Sequence, residues 1–138
     1  MPVKAFAIPI LSADCWLPVE SDHERRLLAP LKTLVERSVE QGRPLRLHKP
    51  MLDILHDGEK RPVRPDFVLA WNKAIFSIEV LGSEDPAYLE HKDAMGDVLR
   101  RHGGYHEIRA FEATSERKRQ DQENVLLARV GAWISSML

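Results

Sequence analysis

The sequence predicts an α/β fold in which a small mixed sheet lies between helices. Residues 64–71 and 74–81 alternate their side chains with the two-residue period of a strand. Residues 21–40 and the C-terminal stretch up to 137 repeat apolar side chains at the spacing of a helix. The elements follow in the order helix, three strands, helix, strand, helix, with short connections between them.

The chain has 138 residues and a formal net charge of -1. This length suits one domain with its own core, so we expect a single domain over 1–138, with 1–20 as an N-terminal arm or strand and 21–137 as the core. A charge this small gives no overall basic field. Binding to nucleic acid would therefore depend on local clusters of cations.

The single cysteine, Cys15, excludes an intramolecular disulfide framework and a cysteine zinc site. We therefore expect a reducing, cytoplasmic location. The apolar stretch 5–11 is interrupted by Pro9 and is too short to span a membrane, so no membrane association is expected. The chain also lacks a glycine-rich phosphate loop and the Ser/His/Asp or Cys/His order of a nucleophilic enzyme.

The first helix is predicted from Ser21 to about Glu40, with a kink at Pro30. Its buried stripe is formed by aliphatic residues at helical spacing: Leu27, Leu28, Leu31, Leu34, Val35 and Val39. A candidate strand follows over 45–50, and the sequence Asp-Gly-Glu-Lys at 57–60 predicts a turn.

Residues 72–73, Asn-Lys, predict the tight turn of a hairpin that joins the strands 64–71 and 74–81. The next helix is predicted to begin at Pro86, with Ser83 or Asp85 as its cap, and to run to about residue 101.

The sequence His-Gly-Gly at 102–104 should stop that helix, and a short strand is predicted over 105–111. The charged stretch 114–124 is either a solvated loop or the exposed start of a helix. The last helix is predicted to bury its apolar residues Leu126, Val130, Trp133, Ile134 and Met137.

Two acidic residues interrupt the otherwise apolar strands, Asp66 in the first strand of the hairpin and Glu79 in the second. An ionised carboxylate in such surroundings costs several kcal/mol unless it is paired or binds a cation. Carboxylates on adjacent strands therefore predict a shared divalent metal ion.

These residues carry a family resemblance. The sequences Ser21-Asp-His-Glu24, Pro65-Asp-Phe67 and Ile78-Glu-Val-Leu-Gly82, with Gly104-Tyr-His-Glu-Ile-Arg109 after the second helix, occur in an order that resembles the PD-(D/E)xK nuclease superfamily. The resemblance is closest to the small very-short-patch-repair-like endonuclease domains, and it covers roughly residues 21 to 137. It implies a restriction-endonuclease-like three-layer core.

The resemblance also implies metal-dependent hydrolysis of DNA phosphodiester bonds, with Mg²⁺, or Mn²⁺ in its place, held by Asp66, Glu79 and Glu24. Leu81 stands where the superfamily motif has a lysine. Lys92 lies in an apolar helical stripe that should face the sheet, so it could restore the missing cation. Tyr88, one turn earlier, could contact phosphate or water.

Each candidate has a structural alternative. Asp66 could bond a nearby backbone amide, and Glu79 could pair with Arg64 or Arg109. Glu24 has the spacing of a capping box with Ser21. Lys92 could lay its stem over the core and keep its ammonium group in solvent.

Lys60, Arg61 and Arg64 precede Asp66 and could dock a DNA backbone through its phosphates. Three functions are therefore compatible with the sequence: a metal-dependent endonuclease, a nuclease-fold domain that has lost catalysis and binds nucleic acid or a protein, and a small α/β interaction module. Because the chain offers little surface for reading DNA, a homodimer or a DNA-delivering protein partner is a further expectation.

Overall fold

The computed structural model of the protein describes residues 22–138, together with the backbone of residues 7–10. The strands are β1 (Ala7–Ile10), β2 (Arg46–Pro50), β3 (Phe67–Trp71), β4 (Ala74–Leu81) and β5 (Gly104–Arg109). The helices are α1 (Asp22–Glu40), α2 (Pro86–Arg101) and α3 (Glu116–Ser136), and a short 3₁₀ helix covers Ala110–Glu112.

The strands form one mixed sheet in the order β1-β2-β3-β4-β5. Neighbouring strands from β1 to β4 are antiparallel, whereas β4 and β5 are parallel. Parallel neighbours need a crossover connection, and α2 provides it. This crossover places α2 on one face of the sheet, beside β4 and β5.

The larger core lies on the opposite face, where α1 and α3 pack on the sheet. Its buried members come from both helices, the four strands β2 to β5 and the 3₁₀ helix: Leu27, Leu31, Leu47, Phe67, Leu69, Phe76, Ile78, Val80, Ile108, Ala110, Leu126 and Val130. A smaller core beneath α2 comprises Val63, Met95, Val98, Leu99 and Tyr105. The predicted three-layer α/β architecture is therefore confirmed.

Most predicted elements are observed, with changes at their ends. The first helix is observed from Asp22, and the predicted start at Ser21 lies outside the described residues. This helix continues through Pro30, and the kink there stays a prediction. Val39 was predicted to be buried but is 58% exposed, because it lies to one side of the face of α1 that buries Leu27, Leu31 and Ser38.

Two strands are shorter than predicted. The strand expected over 64–71 begins at Phe67, and the strand expected over 105–111 ends at Arg109, where the 3₁₀ helix takes over. The charged stretch after it is helical, since the Ser115 side chain caps α3 by accepting from the Lys118 N–H. Leu126 and Val130 are buried on α3 as predicted, while the three later apolar residues are partly buried.

Both predicted turns are observed. Asn72 takes a positive φ of 54°, which the tight turn between β3 and β4 requires and which asparagine tolerates. Gly58 has a φ of 80° in the earlier turn. That turn is part of a long connection, residues 51–64, which we call the arm. An isolated bridge between Ile54 and Val63 pairs its two sides.

The edge strand β5 is protected by side chains of α3. The Arg129 guanidinium donates to the Tyr105 carbonyl at 3.4 Å, and the Gln122 amide donates to the Arg109 carbonyl at 2.9 Å. These bonds occupy backbone acceptors that another strand could use, which disfavours edge-to-edge pairing. Within the described part of the chain, no helix is long and apolar enough to cross a membrane.

The close approach of β4 to the start of β5 predicts opposite effects for two glycine substitutions. A Cβ at Gly103 would lie 2.5 Å from the Ile75 carbonyl oxygen, whereas a Cβ at Gly131 on α3 would meet nothing within 4 Å. Gly103→Ala should therefore lower the free energy of unfolding by about 1–3 kcal/mol. Gly131→Ala should raise it by about 1 kcal/mol, because alanine favours a helix. Urea unfolding measures both, and equal effects would contradict the packing described.

Candidate active site between the hairpin and the crossover helix

Asp66 and Glu79 lie side by side on the sheet. Phe67 pairs with Ile78 in the antiparallel register of β3 and β4, so Asp66 and Glu79 form the next opposing pair. Because Ile78 and Val80 face the larger core, Glu79 points to the other side, towards α2. Glu79 is fully buried, and Asp66 is 8% exposed.

Asp66 also bonds to the backbone. Its Oδ2 accepts a hydrogen bond from the Val80 N–H at 2.7 Å. The structural alternative for Asp66, a bond to a nearby amide, is therefore observed, although the amide belongs to the neighbouring strand. This bond fixes the Asp66 carboxylate next to Glu79.

Lys92 reaches both carboxylates from α2. Its Nζ lies 2.7 Å from Glu79 Oε2 and 3.5 Å from Asp66 Oδ2, and its side chain is only 13% exposed. The prediction that Lys92 points inward is confirmed, and the solvent-facing alternative is wrong. The partner of Glu79 is therefore Lys92 and not one of the suggested arginines, Arg64 or Arg109.

Burial has the largest single effect on the pKa values of Glu79 and Lys92. Desolvation, together with repulsion from Asp66, raises the pKa of Glu79 to about 7, and the ammonium group of Lys92 opposes the shift only in part. Burial by itself would lower the pKa of Lys92, but the Glu79 and Asp66 carboxylates outweigh it and raise that pKa. Glu79 Oε1 is buried and has no hydrogen-bond partner among the residues that the structure describes.

Leu81, at the position of the superfamily lysine, is buried. It lines a different hollow, formed with Leu89 of α2 and Arg109 of β5. The cation of this site is therefore carried by the crossover helix and not by the strand. Asp85 caps that helix by accepting from the Tyr88 N–H at 3.2 Å, as predicted for one of the two candidate caps.

Tyr88 ties the first turn of α2 to the end of β4. Its hydroxyl donates to the Val80 carbonyl at 3.4 Å and accepts from the Gly82 N–H at 3.3 Å. These bonds hold α2 one turn before Lys92, whose Nζ lies 5.8 Å from the centre of the Tyr88 ring. A contact between Tyr88 and phosphate stays a prediction.

A cleft of about 250 Å³ leads from the surface to Asp66 and Lys92. Asp66 and Lys92 line it, together with Lys49 of β2 and with Asp53 and Arg64 of the arm. Of the three cations predicted to contact phosphate, Arg64 thus borders the cleft. Lys60 and Arg61 are exposed further along the arm.

A second buried ion pair lies on the α1 face of the sheet. Lys49 Nζ donates to Glu24 Oε1, and both residues are 4% exposed. The Lys49 ammonium group also lies 5.3 Å from the centre of the Phe67 ring. Lys49 was not among the predicted site residues, although its alternation with the buried Leu45 and Leu47 was a signal for it.

The predicted metal ligands are only partly gathered. Asp66 and Glu79 adjoin, whereas Glu24 is engaged by Lys49 on the other face. In residues 22–138, no three His, Cys, Asp or Glu side chains form a group that could hold a metal ion. Metal binding by Asp66, Glu79 and Glu24 therefore stays a prediction. The capping alternative for Glu24 involves Ser21, which lies outside the described residues.

Comparison with known families agrees with this architecture. A family model described as a restriction endonuclease-like C-terminal domain matches residues 20–134. The chain therefore belongs to the restriction endonuclease-like C-terminal domain family, and its fold is of the nuclease type. Searches of curated proteins and of solved structures gave no match. The closer resemblance to very-short-patch-repair endonucleases stays a prediction.

The raised pKa of Glu79 predicts a pH-dependent stability in metal-free buffer. Between about pH 4.5 and pH 7 the folded chain binds more protons at Glu79 than the unfolded chain, so rising pH lowers the free energy of unfolding. Glu79→Gln should remove this slope and gain roughly 3 kcal/mol relative to wild type between pH 4 and 8. Denaturant unfolding across this range measures the difference, with exposed Glu90→Gln as control. Parallel curves for wild type and Glu79→Gln would contradict it.

The Glu24 and Lys49 pair predicts strong coupling in a double-mutant cycle. Glu24→Gln or Lys49→Met alone leaves a buried charge without its partner and should cost about 3–5 kcal/mol of unfolding free energy. The double variant should lose less than the sum of the two. Arg25 and Asp22 form an exposed pair on the same helix and should show almost no coupling. Additive losses at Glu24 and Lys49 would argue against the buried pair.

Proposed function

We propose that this domain is a metal-dependent DNA endonuclease that hydrolyses phosphodiester bonds. The single observation that carries the proposal is the position of Lys92, between Asp66 and Glu79. This arrangement brings together two carboxylates and one ammonium group, the set of charges that the PD-(D/E)xK motif supplies. The cation comes from α2 because Leu81 occupies the motif position.

The carboxylate oxygens fit a hard divalent cation such as Mg²⁺, or Mn²⁺ in its place. Asp66 and Glu79 would hold it, with Glu24 as the proposed third carboxylate. The buried Glu79 Oε1, which lacks a hydrogen-bond partner within the described part of the chain, supports this fit because a cation would satisfy it. When bound, the metal would lower the pKa of a water molecule and neutralise charge on the phosphate.

Lys92 has two roles in this proposal. With no metal bound, it compensates two buried carboxylates that would otherwise repel each other. During hydrolysis, its ammonium group would stabilise the negative charge that develops on the phosphate oxygens.

The cleft and the arm supply groups for the DNA backbone. Arg64 borders the cleft, and Lys60 and Arg61 are exposed on the same arm, so all three could contact phosphates next to the cut. Tyr88 would act mainly by holding α2 in place. A homodimer or a DNA-delivering partner, in the cytoplasm, remains part of the proposal, because the cleft by itself offers few groups that could read base sequence.

The proposal predicts Mg²⁺- or Mn²⁺-dependent nicking of supercoiled DNA by the purified protein. Asp66→Ala, Glu79→Ala and Lys92→Ala should each lower the rate by about 100-fold or more, because each removes a charge at the reacting phosphate. Glu90→Ala, an exposed change on α2, should leave the rate unchanged. Adding Leu81→Lys to Lys92→Ala returns a cation to the motif position and should restore part of the activity.

Two outcomes would contradict the proposal in different ways. If wild type binds DNA but cleaves none with either metal, the domain is a nuclease fold that has lost catalysis. If it neither binds DNA nor binds Mn²⁺ in calorimetry, the carboxylates are structural. Activity that survives Lys92→Ala would show that the cation on α2 is not part of the reaction.

A further inference from the structure

The smaller core beneath α2 contains a buried hydroxyl group that the proposed reaction does not use. Tyr105 of β5 is 7% exposed and packs in the apolar group that includes Met95, Val98 and Leu99 of α2. Its Oη is buried and bonds to no other residue in the described part of the chain. A buried hydroxyl group without a partner is unfavourable, so phenylalanine would suit this position better if only packing were required.

The helix above the ring leaves space for this hydroxyl group. Gly96 lies within α2, where glycine is less favourable than alanine. A Cβ atom at Gly96 would lie only 2.7 Å from Tyr105 Oη and 3.1 Å from Cζ of the same ring. Any larger residue would therefore displace the hydroxyl group. Because the glycine and the hydroxyl group are each unfavourable by themselves, their combination indicates that the hydroxyl group has a function in this place.

The register of β4 and β5 brings Tyr105 next to Glu79. Tyr105 pairs with Ser77, and Glu107 pairs with Glu79, so Tyr105 and Glu79 are diagonal neighbours on adjacent strands. Residues two apart in a strand face the same side, so both side chains point towards α2. After burial itself, the Glu79 carboxylate does most to raise the pKa of Tyr105 above its usual value. The hydroxyl group therefore stays protonated and can donate a hydrogen bond.

Glu79 and Tyr105 carry complementary atoms that lack partners. Glu79 Oε2 accepts a hydrogen bond of 2.7 Å from Lys92, whereas Glu79 Oε1 has none. In residues 22–138, Glu79 Oε1 and Tyr105 Oη are the two buried side-chain polar atoms without a hydrogen bond. The first is an acceptor and the second a donor. Polar groups of this kind are the ones that buried water molecules join in proteins.

We propose that Tyr105 positions Glu79 for metal binding through one buried water molecule, which accepts from Tyr105 Oη and donates to Glu79 Oε1. Each carboxylate oxygen then has its own donor, Lys92 for Oε2 and this water for Oε1, so the carboxylate group is held in one orientation. Because a carboxylate oxygen can accept two bonds, Oε1 keeps a lone pair for the cation. The inference rests on the proposed function for the role of the cation, and it makes Tyr105 a positioning residue.

A double-mutant cycle in metal-free buffer tests the link to Glu79 without catalysis. Tyr105→Phe removes the hydroxyl group and keeps the ring, so it should lower the folding equilibrium constant about fivefold in urea unfolding. In a Glu79→Leu background the hydroxyl group has no acceptor, and the same change should leave the constant unchanged or raise it. This background should stay folded, because Lys92 keeps Asp66 as a partner at 3.5 Å.

Tyr88→Phe is the matched control, since Tyr88 is the second of the two tyrosines in the chain. Its hydroxyl group bonds to the backbone of Val80 and Gly82 and not to a carboxylate. Removing it should therefore lower the folding constant equally in the wild-type and Glu79→Leu backgrounds. Equal effects of Tyr105→Phe in the two backgrounds would overturn the inference, as would a Tyr105→Phe variant that is as stable as wild type.

Mn²⁺ calorimetry tests the positioning role and remains informative if Glu79→Leu does not fold. Because groups that hold a metal ligand in place strengthen metal binding, Tyr105→Phe should bind Mn²⁺ about tenfold more weakly than wild type. Nicking by this variant should need more Mn²⁺ to reach half its maximal rate, while the rate at saturating Mn²⁺ is unchanged. Equal Mn²⁺ affinity in wild type and Tyr105→Phe would overturn the positioning role.

The two experiments separate this inference from the proposed function. Coupling between Tyr105 and Glu79 in a protein that binds no Mn²⁺ and cuts no DNA would support the water-mediated bond and overturn the nuclease proposal. Metal-dependent nicking without such coupling would overturn the inference and leave the nuclease proposal standing. Coupling together with weaker Mn²⁺ binding by Tyr105→Phe would support both.

Discussion

The fully buried carboxylate of Glu79 is the constraint on which the rest of this site depends. A charge in that position is unfavourable unless a cation is held against it, and here the neighbouring Asp66 makes the position still less favourable. The register of the hairpin places the two carboxylates side by side, and the packing of α2 on the sheet brings the Lys92 ammonium group to both of them. The same three side chains, Asp66, Glu79 and Lys92, therefore form the candidate site and balance the buried charges of the fold.

The features that follow from short-range periodicity could be predicted from the sequence. Alternation in two strands joined by Asn72-Lys73 placed Asp66 and Glu79 on adjacent strands, and the helical stripe that contains Met95 and Leu99 placed Lys92 on the inner face of α2. Both depend on the geometry of single elements.

Features that depend on how distant elements meet could not be predicted in this way. Alternation with buried leucines indicates which face of β2 Lys49 occupies, but its ion pair with Glu24 depends on how α1 packs on the sheet. Val39 has the periodicity of a buried residue, but the elements packed on α1 cover the face of Leu27, Leu31 and Ser38, and Val39 lies to one side of it. Glu59 of the arm and Arg101 of α2 are far apart in sequence, so no local sequence pattern predicts the hydrogen bond between them.

Because Lys92 lies on a helix and not on a strand, the packing of that helix sets the position of its ammonium group. A strand residue keeps its place in the hydrogen-bonded ladder, whereas α2 rests on the sheet largely through apolar contacts of Met95, Val98 and Leu99. Changes in the size of those side chains would therefore shift the ammonium group by fractions of an ångström relative to the carboxylates. The strength of the site can thus be tuned by repacking, while each charged residue stays the same.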